Sequence, residues 1–149
     1  MTCIHYGANK FNRGLFQPVE NGNWIKPKSG GLWVSPIDSQ FGWKEWCLNA
    51  DFNIDKLAYN FTVKIKNDAN GLIINSLLDL KEVIQRLNMQ TDAGYGFVCL
   101  DFELLSKHFN YIYLTEKGQI ETRYSNPSLY GWDCESILIM NPDCIYDVL

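Results

Sequence analysis

Short stretches of alternating apolar residues, separated by polar or glycine-rich turns, dominate the hydrophobic pattern of this chain. Apolar side chains alternate at Tyr59, Phe61, Val63 and Ile65, the period of a half-buried strand, which predicts a strand over residues 57–66. Similar short patterns predict strands at residues 3–7, 31–35, 71–75, 111–114, 119–123 and 135–140. The chain is therefore rich in short strands.

Helical spacing is found in fewer places. Trp43 and Trp46 are three residues apart and share one face of a helix whose predicted cap is Asp38 or Ser39. Two further helices are predicted over residues 76–87 and 102–109. The order of elements lacks regular β-α-β alternation, which predicts one α+β domain over residues 1–149 with a largely antiparallel or split sheet.

Composition narrows the class of function. The chain has 149 residues, a net charge of −4 and no cluster of Lys and Arg, which argues against a general nucleic-acid binder. Five cysteines without a CxxC pair suit a reducing compartment, so a cytoplasmic protein is expected. Two histidines make a metal site unexpected, and the apolar stretches are too short to predict a membrane span.

Three segments combine residues suited to chemistry. His5-Tyr6-Gly7 ends the first predicted strand. The segment 30–36, Gly-Gly-Leu-Trp-Val-Ser-Pro, includes Trp33 and Ser35 and precedes the helix of Trp43 and Trp46. The segment 132–143, Trp-Asp-Cys-Glu-Ser-Ile-Leu-Ile-Met-Asn-Pro-Asp, contains the third group of polar residues.

The order and spacing of these segments resemble the ADP-ribosyltransferase superfamily, in its His–Tyr–Glu branch. Such proteins have a His on the first strand, an aromatic residue on the second, and a Glu on a late strand. The resemblance implies a split antiparallel sheet with a few short helices and an NAD-binding cleft between the two parts. It also implies a small single-domain enzyme of a bacterial or phage effector, toxin or modifying type. Here Trp33 replaces the Tyr usual in the second motif.

The resemblance also implies roles for individual residues. His5 would bind ribose hydroxyls and assist catalysis, and backbone groups near Gly7 would bind the carboxamide. Lys10 or Arg13 would contact the pyrophosphate, a choice that is based on their closeness to His5 in the sequence. Trp33 would stack on the positively charged nicotinamide ring together with Trp43 or Trp46. The residues expected to contact NAD are His5, Tyr6, Gly7, Arg13, Trp33, Ser35, Trp43 and Trp46.

A carboxylate near the ribose would stabilise developing positive charge and deprotonate the acceptor. Glu135 is the first choice. Asp133 is the second, because residues i and i+2 share a strand face. Counting back from Asn141 by the spacing common in that family instead puts Ser136 at the catalytic position, which would argue against transferase activity.

The sequence leaves several functions open. The leading one is transfer of ADP-ribose from NAD to an unidentified acceptor, with NAD hydrolysis as the nearest variant. The alternatives are a module that binds NAD or ADP-ribose without turnover, and a protein-interaction domain with an exposed aromatic surface. Acceptor recognition is expected in the loops at residues 88–97 and 115–130.

Overall fold

The computed structural model describes residues 1–22, 24–89 and 97–149. Within them the chain forms seven strands and four α-helices, a mixed α+β architecture. The strands are β1 (Thr2–Tyr6), β2 (Leu32–Pro36), β3 (Asn60–Ile65), β4 (Gly71–Ile74), β5 (Tyr111–Leu114), β6 (Ser136–Ile139) and β7 (Ile145–Val148). The helices are α1 (Trp43–Ala50), α2 (Leu77–Arg86), α3 (Phe102–His108) and α4 (Glu116–Arg123). Part of the predicted acceptor loop, residues 90–96, lies outside the described residues.

All seven strands belong to one hydrogen-bonded sheet in the order β4-β5-β6-β2-β1-β3-β7. Among the strand pairs of the described chain, β4 and β5 run parallel and the others are antiparallel. Apolar side chains form one core against α2 and α3 and a second core on the opposite side, because strand residues alternate between the two faces. The sequence prediction of a largely antiparallel sheet is confirmed, whereas a division into two separate sheets is not present.

The strand pairing is shortest near the centre of the sheet, between β1 and β2. These strands pair only at Cys3 with Pro36 and at Ile4 with Ser35. Beyond these positions β1 continues to pair with β3, and β2 continues to pair with β6. The two strands therefore separate on the side of His5 and Trp33, and we call this junction the seam.

Two consecutive glycines bring the chain into β2. Gly30 and Gly31 have φ values of +83° and +72°, in the left-handed region that glycine tolerates best. A β-carbon at Gly30 would lie 1.9 Å from the Pro18 carbonyl oxygen, and one at Gly31 would meet the Leu138 side chain at 2.6 Å. The two glycines therefore allow the loop before β2 to pack closely beside β6, which sets the position of Trp33.

Several predicted elements differ from the structure. Residues 119–123 alternate like a strand but belong to α4, because the Thr115 hydroxyl caps that helix by accepting a hydrogen bond from the Gly118 amide at 3.0 Å. Helix α1 begins at Trp43, and its cap is Gly42, whose amide donates to the Glu45 carboxylate, rather than Asp38 or Ser39. The strand β7 was not predicted, because it follows Asn141-Pro142 and is only four residues long.

Candidate functional site

A cavity of about 290 Å³ lies at the seam. Its walls come from β1, β2, the start of α1, the loop before β6 and Lys26 of the loop before β2. The lining residues are Ile4, His5, Tyr6, Lys26, Trp33, Val34, Ser35, Trp43, Gly131, Trp132, Asp133, Cys134 and Ser136. We call this cavity the cleft. It is mainly apolar, with a few polar groups that converge from different elements, which is typical of small-molecule sites.

The cleft brings together five of the residues that the sequence assigns to cofactor binding. These are His5, Tyr6, Trp33, Ser35 and Trp43. Four other assigned residues, Gly7, Arg13, Trp46 and Glu135, are not among its lining residues. The motifs at residues 5–7 and 30–36 therefore meet in space, whereas the third motif contributes Trp132, Asp133, Cys134 and Ser136 rather than Glu135.

His5 connects the two strands where their backbone pairing ends. Its ring Nδ1 lies 2.8 Å from the Trp33 carbonyl oxygen, so Nδ1 carries the proton and donates this hydrogen bond. Burial lowers the pKa of His5, and the bond to Trp33 opposes this shift in part. The neutral ring therefore has its proton on Nδ1, which makes Nε2 a hydrogen-bond acceptor.

A consequence of the lowered pKa is testable. The unfolded chain binds a proton at His5 more readily than the folded chain, so the unfolding free energy decreases as the pH falls below about 6.5. We expect this decrease, between about pH 7.5 and about pH 5 in urea titrations, to be smaller in His5→Gln than in the native protein. The other ionisable groups are the same in both proteins, so the difference isolates His5. An equal or larger decrease in the variant would contradict the burial of this ring.

Aromatic residues form two walls of the cleft. Trp33 packs edge-on against Trp132, with ring centroids 4.8 Å apart and an interplanar angle of 71°. Trp132 is almost fully buried, and its indole N–H donates to the Ile25 carbonyl at 2.6 Å. Across the cleft, Trp43 is stacked on Trp46 at 5.0 Å, so Trp46 supports Trp43 from behind.

Ser35 fixes the start of α1 against β2. Its hydroxyl oxygen accepts a hydrogen bond from the Trp43 amide at 3.0 Å, and its hydroxyl lies 3.4 Å from the Glu135 carbonyl that it donates to. Because Ser35 is buried, these bonds are shielded from water. Ser35 therefore positions the Trp43 wall relative to the strand that carries Trp33.

Glu135 has a different environment from the one that a catalytic role implies. Its two carboxylate oxygens accept hydrogen bonds from the Ser39 and Tyr113 hydroxyls, each at 2.5 Å. The residue is 8% exposed. Burial and the neighbouring Glu135 raise the pKa of Tyr113, so this phenol stays protonated and continues to donate. In this arrangement Glu135 links the loop after β2 to β5.

Asp133 is the carboxylate that lines the cleft. It lies in the loop before β6, so the expectation that Asp133 and Glu135 share a strand face is wrong. Burial raises the pKa of Asp133, while the positive charges of Lys26 and Arg123 act in the opposite direction. A partly buried carboxylate with a raised pKa is a better proton acceptor than a solvated one.

Two further polar groups of the cleft, the Ser136 hydroxyl and the Cys134 thiol, form no hydrogen bond with a basic side chain in the described part of the chain. The Ser136 hydroxyl donates to the Cys134 carbonyl at 2.7 Å. Burial raises the pKa of the Cys134 thiol to about 12, so it is protonated at neutral pH. Neither group is therefore prepared to act as a nucleophile.

Arg13 lies beside the end of the chain rather than at the cleft. Its guanidinium donates to the Asp143 carboxylate at 2.8 Å and to the Ile145 carbonyl at 3.0 Å. Lys26 supplies a positive charge at the cleft instead. Sequence reasoning missed Lys26, because it lies in an irregular loop where neither periodicity nor spacing indicates which way a side chain is directed.

Among the described residues, no helix has the length and apolar character needed to cross a membrane. The same residues contain no cluster of three His, Cys, Asp or Glu side chains arranged to bind a metal ion. No protein-family model, curated protein or solved structure matches this chain. We therefore infer the function from the geometry of the cleft.

Proposed function

We propose that the protein binds NAD with its nicotinamide end in the cleft and transfers ADP-ribose to an acceptor. The observation that carries this proposal is the meeting of His5, Tyr6, Trp33 and Trp43 around one cavity at the seam. These residues come from two separate motifs, and a flat, positively charged ring is the ligand that their aromatic side chains would attract most strongly.

The size of the cleft agrees with part of the dinucleotide. Its volume of about 290 Å³ is near the lower end of the range for ligand pockets, which suits nicotinamide and its ribose. The rest of the dinucleotide would extend outside the cleft. Lys26 would face its pyrophosphate, and the neutral His5 would accept a hydrogen bond from a ribose hydroxyl through Nε2.

In this reaction NAD supplies the bond between ribose C1′ and the nicotinamide nitrogen, which breaks so that nicotinamide leaves with the electron pair. The acceptor atom bonds to C1′ and gives up its proton. Asp133 would receive this proton, and its negative charge would stabilise the positive charge that develops on the ribose. Trp33 and Trp43 would hold the nicotinamide ring while the bond breaks.

A second function is binding of NAD or ADP-ribose without turnover. It is favoured by one observation: Glu135, the carboxylate that the resemblance assigns to catalysis, is hydrogen-bonded to Ser39 and Tyr113, while Ser136 lines the cleft. The two functions differ in whether nicotinamide is released.

The test is nicotinamide release by the purified protein, followed over time with and without cell lysate. We expect release that lysate accelerates, because an acceptor is then present. Release independent of lysate would indicate hydrolysis, and absence of release with saturable NAD binding would indicate the binding module. Absence of both would refute the proposal.

NAD binding is measured by quenching of tryptophan fluorescence. We expect Trp33→Phe to reduce the quenching, because Trp33 is one of three tryptophans that line the cleft, with Trp43 and Trp132. Trp24→Phe is the matched control, because Trp24 is 42% exposed and is not a lining residue. Equal quenching in the two variants would place the nucleotide elsewhere.

A further inference from the structure

A row of aromatic rings extends over the surface from the loop before β6. Tyr124 and Tyr130 have ring centroids 5.8 Å apart, Phe97 lies 6.3 Å from Tyr130, and Trp24 lies 5.4 Å from Phe97. Tyr124 is 81% exposed, and Tyr130 and Trp24 are exposed by 45% and 42%. We call these four residues the aromatic row. Three large aromatic side chains left in water on one patch are unusual for packing alone.

Arg123 adds a positive charge to the aromatic row. Its guanidinium carbon lies 5.5 Å from the centre of the Tyr124 ring and 5.3 Å from that of Tyr130. Its Nε donates to the Tyr124 hydroxyl at 3.2 Å. Both tyrosines therefore hold the guanidinium at the surface, where it can bind an anion.

The row is built on a defined loop. The Ser128 hydroxyl donates to the Arg123 carbonyl at 2.8 Å and accepts from the Tyr130 amide at 3.2 Å. The Leu129 amide also donates to the Thr122 carbonyl at 2.9 Å. These bonds attach the loop to the end of α4, so the backbone that carries Tyr130 is fixed relative to the backbone that carries Arg123.

The row is continuous with the cleft. Tyr130 is followed directly by Gly131, Trp132 and Asp133, all of which line the cleft, and the charge of Arg123 acts on the Asp133 carboxylate. An acceptor must bring its nucleophilic atom to the carboxylate that takes its proton. The surface beside Asp133, outside the cleft, is therefore where the acceptor would lie.

We infer that the acceptor is a nucleobase that carries a phosphate, stacked on the exposed ring of Tyr124 with its phosphate on Arg123. This inference rests on the proposed transfer reaction. Exposed aromatic faces bind bases of any sequence by stacking, and a guanidinium binds phosphate oxygens. A ring nitrogen or hydroxyl oxygen of the acceptor would bond to C1′ as nicotinamide leaves, and its proton would pass to Asp133.

Recognition of one phosphate by a single cationic group, Arg123, is consistent with the acidic composition of the chain. A general nucleic-acid binder uses many phosphate contacts, which the net charge of −4 does not support. A single phosphate contact predicts a weak salt dependence, with a slope of about −0.7 for the logarithm of affinity against the logarithm of salt concentration on a single strand. Removing Arg123 would bring this slope close to zero.

The experiment measures binding and transfer separately on the full chain. Binding is followed by fluorescence anisotropy with labelled single-stranded DNA and RNA of about ten nucleotides, with a duplex and with mononucleotides. Transfer is followed with radiolabelled NAD. The variants are Tyr124→Ala and Arg123→Gln. The matched controls are Tyr146→Ala and Arg86→Gln. Tyr146 is a 59% exposed tyrosine on β7, and Arg86 is an arginine on α2 whose guanidinium lies over the Phe109 ring.

We expect both variants to weaken binding of the single strands about tenfold, and the controls to stay within about twofold of the native protein. Label should appear on the single strand and not on the duplex, whose bases are already stacked. Mononucleotides that bind as tightly as the strands would identify a free nucleotide as the acceptor, and weaker binding would identify single-stranded nucleic acid.

Failure of this inference and failure of the proposed function give different results. If nicotinamide is released but the strands neither bind nor receive label, or if the variants match their controls, the inference is overturned. If NAD is neither bound nor cleaved, while the single-stranded nucleic acids bind and the variants weaken that binding, the surface assignment stands and the transfer reaction is refuted. Label found only on lysate protein would also overturn the inference.

Discussion

Asp133→Asn is expected to lower the rate of nicotinamide release about a hundredfold or more, while NAD still quenches tryptophan fluorescence. Asparagine has nearly the shape of aspartate but carries no charge and cannot accept the acceptor proton. The loss should therefore appear in kcat rather than in KM. The measurement is a steady-state assay of nicotinamide release, with the NAD affinity of each variant measured alongside.

Glu135→Gln is the informative comparison. Its side chain does not line the cleft, so the folded variant should retain most of the native rate. The opposite result, with Glu135→Gln inactive and Asp133→Asn active, would restore the catalytic role that the sequence resemblance assigns to Glu135. Equal activity in both variants and the native protein would show that neither Asp133 nor Glu135 is needed for catalysis.

Glu135→Ala is expected to reduce the unfolding free energy by about 3 kcal/mol. The substitution removes two hydrogen bonds to a buried carboxylate and leaves the Ser39 and Tyr113 hydroxyls without that partner. Urea unfolding of the native and variant proteins measures the loss. A change smaller than about 0.5 kcal/mol, the range of ordinary surface substitutions, would show that these bonds contribute little.

A double-mutant cycle separates the Tyr113 bond from the rest. Tyr113→Phe removes the phenol hydroxyl and keeps the ring in the sheet. Because Glu135 and Tyr113 contact each other directly, the double variant should be more stable than the two single losses predict when added. Additive losses would indicate that Glu135 acts through Ser39 and its backbone instead.

The sequence predicted the fold class and the long periodic elements well. Apolar alternation in β3 and the helical spacing in α2 reflect local geometry, so they are readable without knowledge of the tertiary structure. The strand predicted over residues 119–123 was wrong, because the alternation there is accidental. The hydroxyl that caps the helix belongs to Thr115, four residues before this segment. Helix α2 lies within the predicted range 76–87, and Ser76, which directly precedes it, caps it by accepting a hydrogen bond from the Asp79 amide.

The site was predictable only in part, for a physical reason. His5 and Trp33 were found because each belongs to a strand with a recognisable motif. Which side chain of residues 133–136 enters the cleft depends on where β6 begins, and a shift of one residue exchanges the two faces. Lys26 and the aromatic row lie in irregular loops. Such loops have no regular repeat from which the direction of a side chain could be predicted.

The seam gives any ligand of the cleft a mechanical role. Where backbone pairing between β1 and β2 ends, the hydrogen bond from His5 to the Trp33 carbonyl provides one further connection between the two halves of the sheet. A molecule that contacts both His5 and Trp33 would add another connection between β1 and β2. Its binding energy would then hold β1 and β2 together where their own pairing is short, so ligand binding would raise the stability of the folded sheet.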